Sequence, residues 1–124
     1  KNILAVELNQ EAHNRAEEKR IEEKNKRIKF VCDTAENVTF DQNENYQKFD
    51  VVICDPPREG LKMIVENITL LKPKKIIYVS CDLMSLKRDM QSFQERGYVV
   101  KAVQPIDMFP QTHHIETVVL LEKV

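Results

Sequence analysis

The sequence has little glycine and few aromatic residues. Only 2 of its 124 residues are Gly, Trp does not occur, and aromatic side chains make up 6%. So little glycine excludes collagen-like repeats, and a composition that is 42% hydrophobic and 31% charged argues against disorder. The length fits one domain with a hydrophobic core, over residues 1–124.

Cysteine is also scarce, and its positions are scattered. The three cysteines are Cys32, Cys54 and Cys81. An odd number without a close pair is not typical of a disulfide framework and favours a reducing compartment. The same scatter gives no spacing typical of a zinc site, so we expect no metal in this chain.

The chain has neither a large net charge nor a long apolar run. Its 19 basic and 20 acidic residues give a formal net charge of −1, so most of any affinity for RNA would have to come from elsewhere. No stretch approaches the ~18 apolar residues of a membrane span. The start of the chain also lacks the regions of a signal peptide, and we expect a cytoplasmic protein.

Strand and helix patterns alternate along the chain. Strands are predicted at Ile3–Leu8, Ile28–Cys32, Phe49–Cys54, Lys75–Ser80, Tyr98–Val103 and Thr117–Leu121. Helices are predicted at Gln10–Asn25, at Leu61–Leu71 and around Leu86–Phe93, and a loop at Asp33–Asp50. This order predicts an α/β fold with a mostly parallel sheet and a final antiparallel strand pair.

Polar or reactive side chains lie at or just past the carboxyl ends of four of the predicted strands. They are Glu7, Asp33, Asp55 and Cys81. Because doubly wound sheets bind ligands outside the carboxyl ends of their strands, these residues predict a site at one edge of the sheet. An acid such as Glu7 is the usual partner of ribose hydroxyls there, although many strand-end acids only cap the next helix.

The segment Asp55–Arg58 has the sequence Asp-Pro-Pro-Arg. A residue before proline is held extended, and two successive prolines form a stiff turn without amide donors. Such a turn can hold a carboxylate and carbonyl groups toward a planar ligand. The alternative is a rigid connection between strand and helix in which Asp55 is only a cap.

Cys81 is predicted between a strand and the start of a helix. Amide donors and the helix dipole favour a thiolate at such a position, which makes Cys81 a candidate nucleophile. A lone cysteine at a strand end is otherwise a small core residue, and this is the interpretation we adopt for Cys32 and Cys54.

The connection before the last predicted strand, Gln104–Glu116, contains two prolines, two adjacent histidines and an acid. An ordinary hairpin connection is short and carries Gly or Asn, so this segment predicts a functional loop. Taken singly, its histidines are more typical of surface or hydrogen-bonded structural roles.

Three ordered motifs carry a resemblance to a known family. They are Asp55–Gly60, Tyr78–Cys81 with Leu86, Arg88 and Asp89 downstream, and Asp107–Glu116. Together they resemble the RNA 5-methyluridine methyltransferases, which methylate uridine in ribosomal or transfer RNA. The resemblance runs from Glu7 to the carboxyl end, and Phe109–Thr112 is more similar to the 23S ribosomal RNA enzymes.

The resemblance implies a Rossmann-like class I methyltransferase fold, S-adenosyl-L-methionine as cofactor and RNA as substrate, ribosomal rather than transfer RNA. It implies that Cys81 is the nucleophile and that Glu116 accepts the proton from uracil C5. It also implies that the pocket for cofactor and base is lined by Glu7, by Asp33 or the adjacent Thr34, and by Asp55.

The sequence departs from the family pattern in two places. Asp82-Leu83 stands where the family has Asn-Pro after the catalytic cysteine, which puts the geometry of that turn in question. No glycine-rich turn precedes Glu7, so we expect a first strand and its glycine loop upstream of Ile3. We also expect an RNA-binding domain upstream, and the resemblance leaves open whether the iron–sulfur cysteine cluster of some relatives lies there too.

Two other functions fit some of these residues. An amino-methyltransferase uses a related Asp/Asn-Pro-Pro-aromatic turn, but Arg58 in place of the aromatic residue, together with Cys81, argues against it. The chain could instead be a non-catalytic RNA-binding or scaffold fragment. A sheet without its first strand would expose unpaired edges and could dimerise through them.

Overall fold

The computed structural model describes residues 2–40, 48–108, 110–112 and 114–124. Phe109 and His113 of the predicted functional loop, and residues 41–47 of the predicted polar loop, lie outside the described residues. The chain divides into two compact units, Lys1–Asp41 and Gln42–Val124. A single domain over residues 1–124 stays a prediction.

The first unit is built around a parallel strand pair. β1 (Ile3–Glu7) and β2 (Ile28–Cys32) pair in parallel and are connected by α1 (Gln10–Glu22), which is the βαβ arrangement that the alternating pattern predicts. The helix starts where the Asn9 side chain accepts the Ala12 N–H at 3.0 Å. It ends before the predicted Asn25, and Lys24 just beyond it adopts a positive φ of 52°.

The loop predicted over Asp33–Asp50 is wrong in part, because it contains a helix, α2 (Ala35–Phe40). Thr34 Oγ1 accepts the Asn37 N–H at 3.1 Å, and Asp33 Oδ1 accepts the Thr34 N–H at 2.7 Å. These bonds satisfy amide donors at the start of the helix. The helix is defined by capping rather than by an apolar stripe, so hydrophobic periodicity does not indicate it.

The second unit contains a four-stranded sheet. Its strands are β3 (Val51–Cys54), β4 (Lys75–Ser80), β5 (Tyr98–Ile106) and β6 (Glu116–Lys123). In the order β3-β4-β6-β5, β3 and β4 are parallel, while β6 is antiparallel to both of its neighbours. The predicted final antiparallel pair is therefore confirmed, and β5 extends past the predicted Val103 to Ile106.

Two helices lie between these strands, α3 (Ile64–Leu70) before β4 and α4 (Leu83–Glu95) after it. α3 begins later than the predicted Leu61, and Lys62 has a positive φ of 51°. The hydrophobic core joins the helices to alternate residues of the sheet. Its members are Cys54, Leu61, Val65, Ile68, Ile76, Tyr78, Leu86, Phe93, Tyr98, Val119 and Leu121.

The helices of the described residues are too short or too polar to cross a membrane. The longest, α1 and α4, have 13 residues each. At 1.5 Å per residue such a helix covers about 20 Å, whereas the hydrocarbon core of a bilayer is about 30 Å thick.

Candidate active site

Cys81 lies in the turn between β4 and α4, with its side chain exposed. The backbone of this turn is fixed by the buried Ser80. Its Oγ donates to the Asp82 carbonyl at 2.8 Å and accepts the Asp82 N–H at 3.1 Å. The peptide groups on both sides of Asp82 are thereby bonded to one hydroxyl, which fixes the backbone that follows Cys81.

Asp82 is the N-cap of α4. It is extended, with φ −139° and ψ 121°, and its Oδ1 accepts the Ser85 N–H at 2.9 Å. This backbone N–H is the main reason why the pKa of Asp82 is lowered, and the Arg58 guanidinium contributes less. Asp and Asn are equally good N-caps, so Asp82 does the capping that the family's asparagine would do.

The turn after Cys81 also has room for the family's proline. Proline at the first helical position is favoured, and the extended backbone of Asp82 suits a residue that precedes proline. We expect Leu83→Pro to leave the free energy of unfolding unchanged or to raise it by up to about 1 kcal/mol in urea titrations.

The matched control is Met84→Pro, one residue further into the same helical turn. It removes an N–H that bonds the Asp82 carboxylate and forces a ring against the preceding helical residue, so it should destabilise the protein. A clear loss of stability in Leu83→Pro would show that the turn does not have the family's geometry.

Glu116 is the first residue of β6, and the strand register sets its position relative to Cys81. In the antiparallel ladder Ser80 pairs with Thr117, and both are buried. The Ser80–Thr117 pair is the last of the β4–β6 ladder, so Cys81, which follows Ser80, and Glu116, which precedes Thr117, both lie at this end of the strand pair.

Asp55 follows β3 directly and is exposed. β3 is parallel to β4, so Asp55 and Cys81 lie at the carboxyl ends of neighbouring strands. Beyond it the chain makes a tight turn in which the Gly60 N–H donates to the Pro57 carbonyl at 2.9 Å. Gly60 has a φ of +74°, which L side chains rarely adopt.

Arg58 connects this turn to the segment before β6. Its Nη2 lies 3.4 Å from His114 Nδ1, and its charge contributes to the lowered pKa of Asp82. A role of Arg58 in the site was not predicted from the sequence, although its place in the Asp-Pro-Pro-Arg motif was a signal for one.

The acids of the first unit lie at the carboxyl ends of β1 and β2, where Glu7 pairs with Cys32. The Asp33 N–H donates to the Glu7 carbonyl at 3.2 Å, which holds the two strand ends together. Glu7 Oε1 accepts the Asn9 N–H at 2.7 Å. An open cleft of about 310 Å³ lies at this edge, lined by Glu7, Asn9, Glu11, Ala12 and Arg15.

Asp33 and Thr34 both have local partners in α2. Asp33 Oδ1 accepts the Asn37 side-chain amide at 2.8 Å in addition to the Thr34 N–H. Thr34 Oγ1 is the acceptor at the start of the helix. Their cofactor contacts stay predictions, as do those of Glu7 and Asp55 and the catalytic roles of Cys81 and Glu116.

The other two cysteines have the environments of packing residues. Cys54 is buried in the core, and burial raises the pKa of its thiol to about 12. Cys32 is half-buried, with its Sγ 3.7 Å from the Leu8 carbonyl. Of the three, Cys81 alone is exposed.

Comparison with known proteins shows which family the sequence matches. The model of the tRNA (uracil-5-)-methyltransferase family matches residues 1–124. An uncharacterized RNA methyltransferase of Fusobacterium nucleatum is 38% identical over 124 residues, which cover 99% of this chain and 27% of that protein. One of Streptococcus mutans is also 38% identical, with 99% and 28% covered. The chain thus spans about a quarter of the length of these relatives.

Solved structures support the same fold. An rRNA methylase of Streptococcus thermophilus superposes with a TM-score of 0.71 at 11% identity, over 99% of this chain and 74% of that one. TYW2 of M. jannaschii, solved in complex with AdoMet, gives 0.70 at 12% identity, over 100% and 59%. These likenesses confirm the Rossmann-like class I fold of S-adenosylmethionine-dependent methyltransferases. With the match over its whole length, the chain belongs to the tRNA (uracil-5-)-methyltransferase family.

Proposed function

We propose that the full-length protein methylates C5 of a uridine in RNA, with Cys81 as nucleophile and Glu116 as base. The observation that carries the proposal is the end of the β4–β6 ladder, where the last pair is Ser80 with Thr117 and Cys81 and Glu116 are the adjacent residues. A thiol and a carboxylate at the same end of a strand pair are candidates to act on one pyrimidine ring. The membership in an RNA methyltransferase family supports the same chemistry.

Cys81 makes the uracil reactive. C5 of uracil is a poor nucleophile, so the Cys81 thiolate first adds to C6. The electron pair of the C5–C6 double bond moves toward O4 and gives an enolate. The C5 of this adduct then takes the methyl group.

Glu116 completes the reaction. After methylation C5 holds both a proton and the methyl group, and the Glu116 carboxylate accepts the proton. The electron pair of the broken C5–H bond restores the C5–C6 double bond, and the sulfur leaves C6 as the Cys81 thiolate. The residue pair thereby returns to its starting state apart from one proton on Glu116, which is lost to water.

S-adenosyl-L-methionine would supply an electrophilic methyl group on a sulfonium sulfur. Glu7 has the donor chemistry to fit its ribose, because an exposed carboxylate at the end of a parallel strand accepts hydroxyl hydrogen bonds. The cleft beside Glu7 is about 310 Å³, the size range of small-molecule sites. We also propose that Asp33, Thr34 and Asp55 contact the cofactor.

The target base must be unpaired or flipped, since a uracil inside a helix cannot present C6 to a side chain. We assign its edge to Asp55 and to the backbone of Gln111-Thr112. Gln111 has a φ of 68°, a conformation that non-glycine residues rarely adopt and that is enriched at functional sites.

With a net charge of −1, this chain needs an upstream RNA-binding domain for most of its affinity for RNA. Ribosomal RNA, in the cytoplasm, is the first substrate to test.

The proposal is tested with RNA that carries tritium at C5 of uridine. We expect the full-length protein to release tritium to water in step with the formation of 5-methyluridine, because Glu116 removes that hydrogen. RNA labelled at C6 is the matched control and should keep its tritium. Methylated amino groups without tritium release would favour the amino-methyltransferase, and RNA binding without methylation would favour a non-catalytic module.

A further inference from the structure

α4 carries a buried carboxylate to which the mechanism assigns no role. Asp89 is 1% exposed. Its Oδ2 accepts the Leu61 N–H at 2.6 Å and the Tyr78 hydroxyl at 2.7 Å. Burying a charge is costly unless it is hydrogen-bonded and paired, so a carboxylate kept at this position needs these donors.

The second oxygen of Asp89 is held by the neighbouring Arg88. Arg88 Nε and Nη2 donate to Asp89 Oδ1 at 3.1 and 2.8 Å, and Nη2 also donates to the Glu59 carbonyl at 2.6 Å. Arg88 is half exposed. One guanidinium thus joins the buried carboxylate to the turn that follows Asp55–Arg58.

Gly60 shows how closely this turn packs on α4. A Cβ at Gly60 would lie 2.4 Å from Asp89 Oδ2 and 2.8 Å from Arg88 Nη2. The backbone of the turn therefore rests directly on the two side chains. Glu59, Gly60 and Leu61 all contact them.

The other partners of Asp89 belong to the elements that hold Cys81. Tyr78 lies on β4, three residues before Cys81, and α4 begins just after it. Burial and the Asp89 carboxylate raise the pKa of Tyr78 far above its ordinary value, so its hydroxyl stays a neutral donor. Asp89 and Arg88 are thus bonded both to β4, the strand that leads to Cys81, and to the segment Glu59–Leu61 after the Asp-Pro-Pro-Arg motif.

We propose that Asp89 and Arg88 are positioning residues that hold the Asp55–Arg58 turn at a fixed place relative to Cys81. This inference rests on the proposed function, since it assumes that Cys81 and Asp55 act on the same base. The two residues touch no reacting atom. They act through the backbone of Glu59–Leu61, and a displacement of about 1 Å at a catalytic group is enough to lower a rate by about 100-fold.

The test uses Arg88→Met in the full-length protein, because Asp89 variants would disturb the core. Methionine keeps the apolar stem of Arg88 and removes the bonds to Asp89 and Glu59. We expect kcat for 5-methyluridine formation to fall about 10- to 100-fold, with the KM for the cofactor changed less than about 3-fold. Rates are compared at a temperature at which circular dichroism shows both proteins fully folded.

Two further variants are compared with Arg88→Met. Arg96→Met, at the C-cap of α4, is the matched control. Among the described residues the Arg96 side chain donates only to Ser92 and pairs with Glu95. The kcat of Arg96→Met should equal that of the wild type. Arg88→Lys should rescue kcat in part, because an ammonium reaches one of the two acceptors but not both in the same geometry. A purely structural role would lower the melting temperature without this graded effect on kcat.

Hydrogen exchange of backbone amides tests the positioning role of Arg88 and Asp89 independently of the reaction that the enzyme catalyses. The amides of Gly60 and Leu61 should exchange faster in Arg88→Met than in the wild type or Arg96→Met, whatever the reaction of the enzyme. Unchanged exchange, or a kcat equal to that of Arg96→Met, would overturn the positioning role. Faster exchange in a protein whose wild type makes no 5-methyluridine would support the positioning of the turn and refute the proposed function instead.

Discussion

Replacing Cys81 by alanine should abolish methylation of uridine, with kcat lowered by about 10⁴-fold or more, as expected when the nucleophile of a covalent mechanism is removed. Binding of RNA and of S-adenosylmethionine should change little. Cys81 is exposed, and its turn is fixed by Ser80 and by the Asp82 cap rather than by the thiol. The measurement is a single-turnover methylation assay with the full-length variant and saturating cofactor.

The covalent step is checked with RNA that contains 5-fluorouridine. Fluorine at C5 cannot leave as a proton, so the wild type should be trapped as a protein–RNA adduct that survives denaturation. Cys81→Ala should give no adduct, and Cys32→Ala, which alters a half-buried cysteine of the first unit, should give as much as the wild type. An adduct in Cys81→Ala would mean that another nucleophile carries the reaction.

The strands were the part of the fold best predicted from the sequence, and β2 has the predicted bounds, Ile28–Cys32. β4 has the predicted bounds, Lys75–Ser80, because it alternates buried residues with half-buried ones and is followed by a clear helix start at Asp82. Pairing partners were harder to predict. β6 lies between β4 and β5, an order that depends on contacts across the sheet and not on any local pattern.

The sequence also located each candidate of the site at a strand end, but not the relation between them. Cys81 and Glu116 are 35 positions apart along the chain, and the β4–β6 register is what brings their neighbours, Ser80 and Thr117, into a pair. A slip of one residue would turn Glu116 to the other face. The motif resemblance implied both roles, whereas the register supplies the physical reason why the two side chains can meet one ring.

Asp89 was the polar residue that sequence patterns explained least. On α4 it stands among charged neighbours and would be assigned to the solvated face, yet it is buried against Leu61 and Tyr78. Periodicity cannot distinguish a buried carboxylate from an exposed one, because the donors that make burial possible come from distant parts of the chain. Asp89 is part of the family motif, but neither composition nor periodicity indicates that its carboxylate is buried.

Glu116→Gln should stall the enzyme after methyl transfer rather than before it. The amide has nearly the size of the carboxylate but cannot accept the C5 proton, so elimination of Cys81 is blocked. We expect multiple turnover to fall about 10²- to 10⁴-fold, the usual contribution of a general base. A covalent RNA adduct that already carries the new methyl group should accumulate with ordinary, unfluorinated RNA and migrate slowly on a denaturing gel.

The control for this variant lies on the same strand. Glu122 is near the other end of β6, where it pairs with Lys75 Nζ at 3.1 Å, and Glu122→Gln removes a carboxylate without touching the proposed site. It should turn over normally and leave no adduct. A slow Glu116→Gln enzyme without the adduct would place Glu116 before the covalent step, as a group that binds the base or activates the thiol. Because proton removal is the only step that Glu116 is proposed to perform, the adduct, more than the rate, decides its role.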